Sequence, residues 1–257
     1  MRTVAIYNVW ADGLDLLHHS IMNLCPVVDG VIVVWSEKSN FGAVDKGMVD
    51  YMIRADLPPK VTFYQMEPNL SLMPHENETK KRNYGIEIAR KIEYTHFLIC
   101  DSDEFYLQDE FMREKERIER DNLNGLVCRL KVLFKKPTLC IDDHTLVPFI
   151  QRLTSTVSVG NFKHYPFAFD EAGNAHIDPT RRPSVINKVE MSDIFMWHAS
   201  WVRSDYEKKI QNSSARKNLI KSSIYKDLAN AAPGVFNEFY RGNLVECENM
   251  FNLPNYD

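Results

Sequence analysis

Apolar residues along the first half of this chain alternate between two rhythms. Thr3–Val9 is a short β-rich apolar run, and Gly30–Trp35 (G-V-I-V-V-W) is the clearest buried strand. Between them Leu14, Leu17, Ile21 and Leu24 recur at helical spacing, which predicts a helix over Leu14–Leu24. A polar loop, Ser36–Gly42, leads into a helical pattern over Val44–Leu57 that Pro58-Pro59 stops. Val61–Met66 reads as a third strand, and Glu76–Glu93 as a helix with Ile86, Ala89 and Ile92 on one face. His96–Cys100 is a fourth strand, Gln108–Asn122 a helix, and Gly125–Phe134 a further strand.

Strands that alternate with helices in this way predict an α/β protein with a doubly wound, mostly parallel sheet. The rhythm fails between Pro148 and Val189, where glycines and prolines cut the chain into short pieces. From Ser204 the pattern turns helical and basic, and the tail Pro233–Asp257 reads as an extended wrap. The expected organisation is a main domain over residues 1–202 and a small, basic, helical C-terminal appendage over 203–257.

Composition narrows the function classes without altering that architecture. With 44% apolar and 26% charged residues and a formal charge of −4, the chain suits a globular core and not a surface that grips nucleic acid throughout. No apolar run reaches the ~18 residues of a membrane span. The first ten residues lack the cleavage pattern of a signal peptide. The five cysteines (Cys25, Cys100, Cys128, Cys140 and Cys247) are scattered without C-x-x-C spacing. They suit buried, reduced thiols and a cytoplasmic setting, in which the N-x-[ST] triplets at Asn69, Asn77 and Asn212 carry no meaning.

The candidate chemistry begins where the fourth strand ends, in D-S-D. Side chains of an extended chain alternate, so Asp101 and Asp103 are expected on one side, at the end of a central strand where open α/β sheets bind ligands. A divalent cation would relieve their repulsion, and hard oxygen ligands suit Mn2+ or Mg2+. The bland alternative is a strand end followed by a helix cap. Three other features bear on the choice. Lys80-Lys81-Arg82-Asn83 lies in the preceding helix, and its cations suit phosphate. His198 stands between two tryptophans in W-H-A-S-W, as a third metal ligand or as a core histidine. Arg203–Lys226 carries seven cations against the acids Asp205, Glu207 and, just beyond the stretch, Asp227, fit either to neutralise a diphosphate or to form a solvated helix face.

The segment K-R-N-Y-G-I-E-I-A-R-K-I-E-Y-T-H-F-L-I-C-D-S-D-E resembles the core signature of GT-A glycosyltransferases, in particular family 2. W-H-A-S-W, with the K-K-I that follows, is similar to the C-terminal part of the β-1,4-mannosyl-glycoprotein N-acetylglucosaminyltransferase family. The resemblance spans roughly residues 1 to 220, though only these two segments are specific. It implies a GT-A type, Rossmann-like sheet and a hexosyl- or N-acetylhexosaminyltransferase. By position, Asp101 would contact the ribose or the metal, Asp103 would hold the metal bridging the donor's phosphates, and His198 would close that site. Arg82 and Asn83 would meet the donor sugar or phosphate. Val9, Trp10 and Glu37 would line the base and ribose pocket. Arg203 and Lys209 would assist the departing diphosphate.

The chain departs from its relatives at the base. Where some carry a His-Glu pair, this sequence reads G-N-F-K-H-Y, with Tyr165 in place of the acid. Asp170 is the expected substitute, with Glu171, Asp142, Asp143 and Asp193 left open. Similarity to inverting families favours inversion. The donor is expected to be a UDP-sugar first and a GDP-sugar second. The acceptor is a glycan or another hydroxyl compound, and net acidity disfavours nucleic acid. Two rival readings stand beside this one: a nucleotidyltransferase that forms sugar nucleotides, and an inactive sugar-nucleotide or glycan-binding module. The loop N-V-W-A-D-G-L, with one glycine and no cation, speaks against the first.

Overall fold

A computed structural model describes residues 1–185, 187–213 and 216–256. Ile186, Ser214, Ala215 and the last residue of the expected appendage, Asp257, lie outside the described residues. The first four strands are β1 (Thr3–Val9), β2 (Gly30–Trp35), β3 (Val61–Gln65) and β4 (His96–Cys100). They pair in parallel in the order β3-β2-β1-β4. The connecting helices are α1 (Leu14–Leu24), α2 (Gly47–Arg54) and α3 (Pro74–Lys91).

Period-two alternation sorts the strand side chains into two layers. Tyr7, Val33 and Leu98 face one side, where Leu17, Ile21 and Leu24 of α1 cover them. Ile6, Val34 and Ile99 face the other, under Ile86, Ile88 and Ala89 of α3. Each fully buried aliphatic side chain contributes about 1.5–3 kcal/mol. Helices on both faces of a parallel sheet make the doubly wound, Rossmann-like α/β arrangement that the pattern predicts. Helix α3 presses hard on the sheet, since a Cβ on Gly85 would stand 2.3 Å from Ile6 Cγ2.

The second half of the sheet is mixed. The chain continues through β5 (Glu104–Phe105), α4 (Gln108–Arg120), β6 (Gly125–Leu133), β7 (Leu139–Arg152) and β8 (Val189–His198). The full path is β3-β2-β1-β4-β7-β6-β8-β5, with β7 antiparallel to both β4 and β6, and β5 antiparallel to β8. Among the described residues of this half, β6 and β8 are the strands that pair in parallel. Strands β7 and β8 escape the sequence pattern for a physical reason. Asp142, His144 and Thr145 interrupt the apolar run of β7 in its exposed part, and register shifts occur where β6 meets both neighbours.

After β8 come three short helices, α5 (Tyr206–Asn212), α6 (Arg216–Lys221) and α7 (Ile224–Ala229). Ile210, Leu219, Ile224 and Leu228 from this stretch join the main core cluster. The tail adds a short strand, Val245–Glu246, to β7. Among the described residues no helix is long and apolar enough to cross a membrane.

Candidate functional site

The site forms where β1 and β4 separate, at their carboxyl ends, the place at which an open α/β sheet leaves a crevice. A cavity of about 320 Å³ opens there. Val9, Trp10 and Asp12 line it after β1, Ser36 and Lys38 after β2, and Lys81 and Arg82 from α3. Asp101 and Ser102 follow β4, His198 and Ser200 follow β8, and Lys209 reaches in from α5. The loop after β1 fits against the D-S-D turn only because residue 13 is glycine, since a Cβ there would meet Ser102 Oγ at 2.2 Å.

The two aspartates do not share one extended face. The strand ends at Cys100 and the chain turns, with Glu104 N donating to Asp101 O (3.2 Å). Once the backbone turns, period-two alternation no longer applies, and each carboxylate acquires its own cations. Asp101, a third exposed, faces Arg181 at 2.7 Å and Arg82 at 3.3 Å. Burial raises its carboxyl, but these two guanidiniums outweigh that and bring it down to about 2. Asp103 is fully buried. Its Oδ2 accepts from Arg203 (2.7 Å), Lys209 (3.1 Å) and Ser200 Oγ (3.1 Å). Burial again opposes ionisation, and Lys209, His198 and Arg203 outweigh it and hold Asp103 well below the usual carboxylate range.

Its other oxygen is different. Asp103 Oδ1 is buried without a hydrogen-bond partner and lies 3.4 Å from His198 Nε2. The sheet brings these residues together across almost a hundred positions of sequence: β5 pairs with β8 so that Glu104 faces His198, and Ala199 N donates to Asp103 O (2.7 Å). An orphaned carboxylate oxygen beside an imidazole nitrogen suits two ligands of a divalent cation whose remaining positions a diphosphate would fill. Among the described residues there is no group of three or more His, Cys, Asp or Glu side chains that could hold a metal ion without such help.

Of the other expected residues, Val9, Trp10, Arg82 and Lys209 line the cavity, and Arg203 lies behind it, donating to Ser200 O and Asp12 O as well as to Asp103. Three stand apart. Asn83 fastens α3 to the backbone of Val159 with both ends of its amide. Glu37 touches the site only through its carbonyl, which accepts from Trp10 Nε1. Asp170 sits on an exposed turn with its carboxylate taken up by Asn174, outside the cavity, and Glu171, Asp142, Asp143 and Asp193 are not among the lining residues either.

Several residues emerge only in three dimensions. Lys81 donates to Val9 O (2.6 Å) and Ser36 Oγ (3.0 Å), and burial lowers its ammonium to about 7. Arg181 binds Glu104 as well as Asp101, and burial raises the Glu104 carboxyl. Asp178 stands at the edge of the cavity, its Oδ1 accepting from Thr180 N (2.8 Å) and Thr180 Oγ1 (2.9 Å). A second cavity of about 300 Å³ adjoins the first, and Asp101, Asp178 and His198 line both. Nothing in the irregular stretch around Asp178 marks it in the sequence.

No family model and no curated protein matches the sequence. Among solved structures, residues 1–349 of S. aureus TarS are similar at 16% identity and a TM-score of 0.46, over 90% of this chain and 73% of that one. The same fragment in complex with UDP-GlcNAc is similar at 14% identity and a TM-score of 0.44, over 90% of this chain and 74% of that one. Against the longer TarS structure, at 17% identity and a TM-score of 0.46, the match takes in 90% of this chain and 43% of that one. Likeness of this degree says nothing of chemistry, which rests on the residues of the site.

Proposed function

We propose that this chain is a glycosyltransferase of the GT-A type that uses a divalent cation, Mn2+ or Mg2+, to move a sugar from a UDP-sugar to an acceptor hydroxyl with inversion. The observation that carries the reading is the pairing of the unpartnered Asp103 Oδ1 with His198 Nε2 beside a cavity lined by Lys81, Arg82 and Lys209. Asp103 and His198 would hold the cation, which when bound supplies positive charge against the diphosphate. The chain's own contribution is electrostatic and positional. Lys209 and Arg82 add fixed cations around the leaving group. Trp10, with the Lys208 ammonium 5.5 Å from its ring centre, offers a wall for the base.

Asp178 takes the place intended for Asp170 as general base. It stands where the two cavities meet, so an acceptor hydroxyl in the second cavity could pass its proton to the carboxylate as it attacks a sugar held in the first. The nucleotidyltransferase alternative gains no support, because the loop after β1 presents Asp12 to the cavity and no cation. Five free thiols accord with a reducing, cytoplasmic setting.

Calorimetric titration with UDP and GDP, each with and without Mn2+, tests the donor site. Binding of UDP that requires Mn2+, and is lost in Asp103→Asn and weakened in His198→Ala, is the expected result. Equal affinity with and without Mn2+ would refute the cation's role, and no binding of either nucleotide would refute the donor site itself.

A further inference from the structure

The second cavity has a composition unlike the first. Three of its polar residues, Asp101, Asp178 and His198, also line the first cavity, and Glu104, Thr145, His176 and Arg181 line the second alone. Its walls are aliphatic: Leu130, Leu146, Val147, Ile177 and Met196. Among the described residues no Phe, Tyr or Trp lines it, the only aromatic rings being the imidazoles of His176 and His198. A cavity of about 300 Å³ lies at the small end of those that take discrete organic ligands.

The outer wall belongs to a small hairpin. Its second arm carries Ala175, His176 and Ile177, which line the cavity, and Ile177 is bridged to Leu146 of β7. Its first arm is tied back by His176 N donating to Ala168 O (2.9 Å) and by the bridge between Phe169 and Ala175. Leading into and along that arm, Phe162, Phe167 and Phe169 are 36%, 38% and 40% exposed. Phe167 has a φ of 62°, a left-handed conformation that a bulky side chain rarely adopts. Strain of this kind persists where the surrounding structure enforces it, often at ligand-binding segments. None of the three phenylalanines lines the cavity itself, and the Arg182 guanidinium lies 4.8 Å from the ring centre of Phe169.

We infer that the acceptor is an amphiphilic alcohol: its hydroxyl lies at Asp178, and its apolar chain runs along Ile177, Leu146 and Met196. The inference rests on the transferase reading and deepens it, naming the acceptor class for which that reading leaves the second cavity. It also sets aside the N-glycan acceptor of the mannosyl-glycoprotein family, since a glycan would gain little from aliphatic walls. A hydroxyl at the polar end keeps hydrogen-bond partners on burial, and the chain behind it leaves water for apolar surface.

Alkyl β-glucosides with methyl, hexyl and octyl chains, below their micelle concentrations, are suitable probes. Calorimetry with the full chain, with and without UDP and Mn2+, measures each affinity. Affinity should rise about fourfold for each methylene that becomes fully buried, so that octyl exceeds methyl by well over tenfold. Ala175→Trp and Thr145→Trp, at two exposed lining positions, should each remove most of that gain while leaving UDP affinity unchanged. Equal affinities across the series, or a chain-length gain that survives both substitutions, would overturn the inference. Failure of UDP to bind the wild-type chain would instead overturn the donor reading, because the chain-length series without UDP reports the second cavity independently.

Discussion

The two cavities share three residues and little else. The first is built from the ends of parallel strands and is lined by Lys38, Lys81, Arg82 and Lys209, facing carboxylates that are themselves bound to cations. The second is walled by aliphatic residues of β6, β7, β8 and the hairpin around Ala175. The difference suits a reaction between unlike partners: a charged donor that needs neutralising, and an acceptor whose body is better held by burial. Asp178 lines both cavities, at their junction.

The most severe test of this division is Asp178→Asn. Loss of a general base should lower kcat by about 10²–10⁴-fold. UDP affinity, measured by calorimetry, should stay within about twofold. A collapse of UDP binding in this variant would place Asp178 in the donor cavity alone.

Next comes the contrast between the two aspartates. Asp103→Ala leaves Arg203 and Lys209 without their buried anion and should cost about 3–5 kcal/mol of stability in urea unfolding. Asp101→Ala, at a carboxylate a third exposed, should cost about 1 kcal/mol after allowance for solvent screening. Equal costs would mean that the two ion clusters are one.

Lys209→Met should weaken UDP binding by about tenfold, the scale of one charge-assisted hydrogen bond, and leave octyl glucoside affinity alone. An equal loss for both ligands would show that α5 closes over the two cavities together.

The smallest expected effect is a proton. The Lys81 ammonium titrates near pH 7, below its ordinary value of about 10.4. Between those values the unfolded chain holds a proton that the folded chain has released, so this residue makes stability rise with pH across that interval. A diphosphate bound beside Lys81 would draw the proton back. Calorimetry at pH 8 in buffers of different ionisation enthalpy should then show uptake of a fraction of a proton on UDP binding, fading below pH 6 and absent in Lys81→Met. Identical enthalpies in every buffer would separate Lys81 from the diphosphate.

Legibility followed the range of the interactions involved. Strands β1, β2 and β4 and helix α1 have the bounds the pattern predicts, because the strands are short continuous buried runs and the helix buries one face at helical spacing. Helix α2 is shorter than its pattern, Gly47–Arg54 against Val44–Leu57, since Ala55 already turns extended before the prolines. In the site, Asp101, Asp103, Arg82 and His198 were legible as residue types in short motifs, whereas Asp178 was not. Its position depends on Thr180 holding its carboxylate and on a hairpin bridged to β7.

The sequence by itself therefore determined the wound parallel half of the sheet and where its carboxylates would fall, because periodic burial and turn chemistry act over a few residues. Only the tertiary structure decided that the two aspartates would part into separate ion clusters, that the pairing of β5 with β8 would bring the adjoining Asp103 to His198, and that an aliphatic cavity would open beyond them. Those outcomes depend on strand pairings and ion pairs between residues up to about a hundred positions apart, and a local pattern carries no record of them.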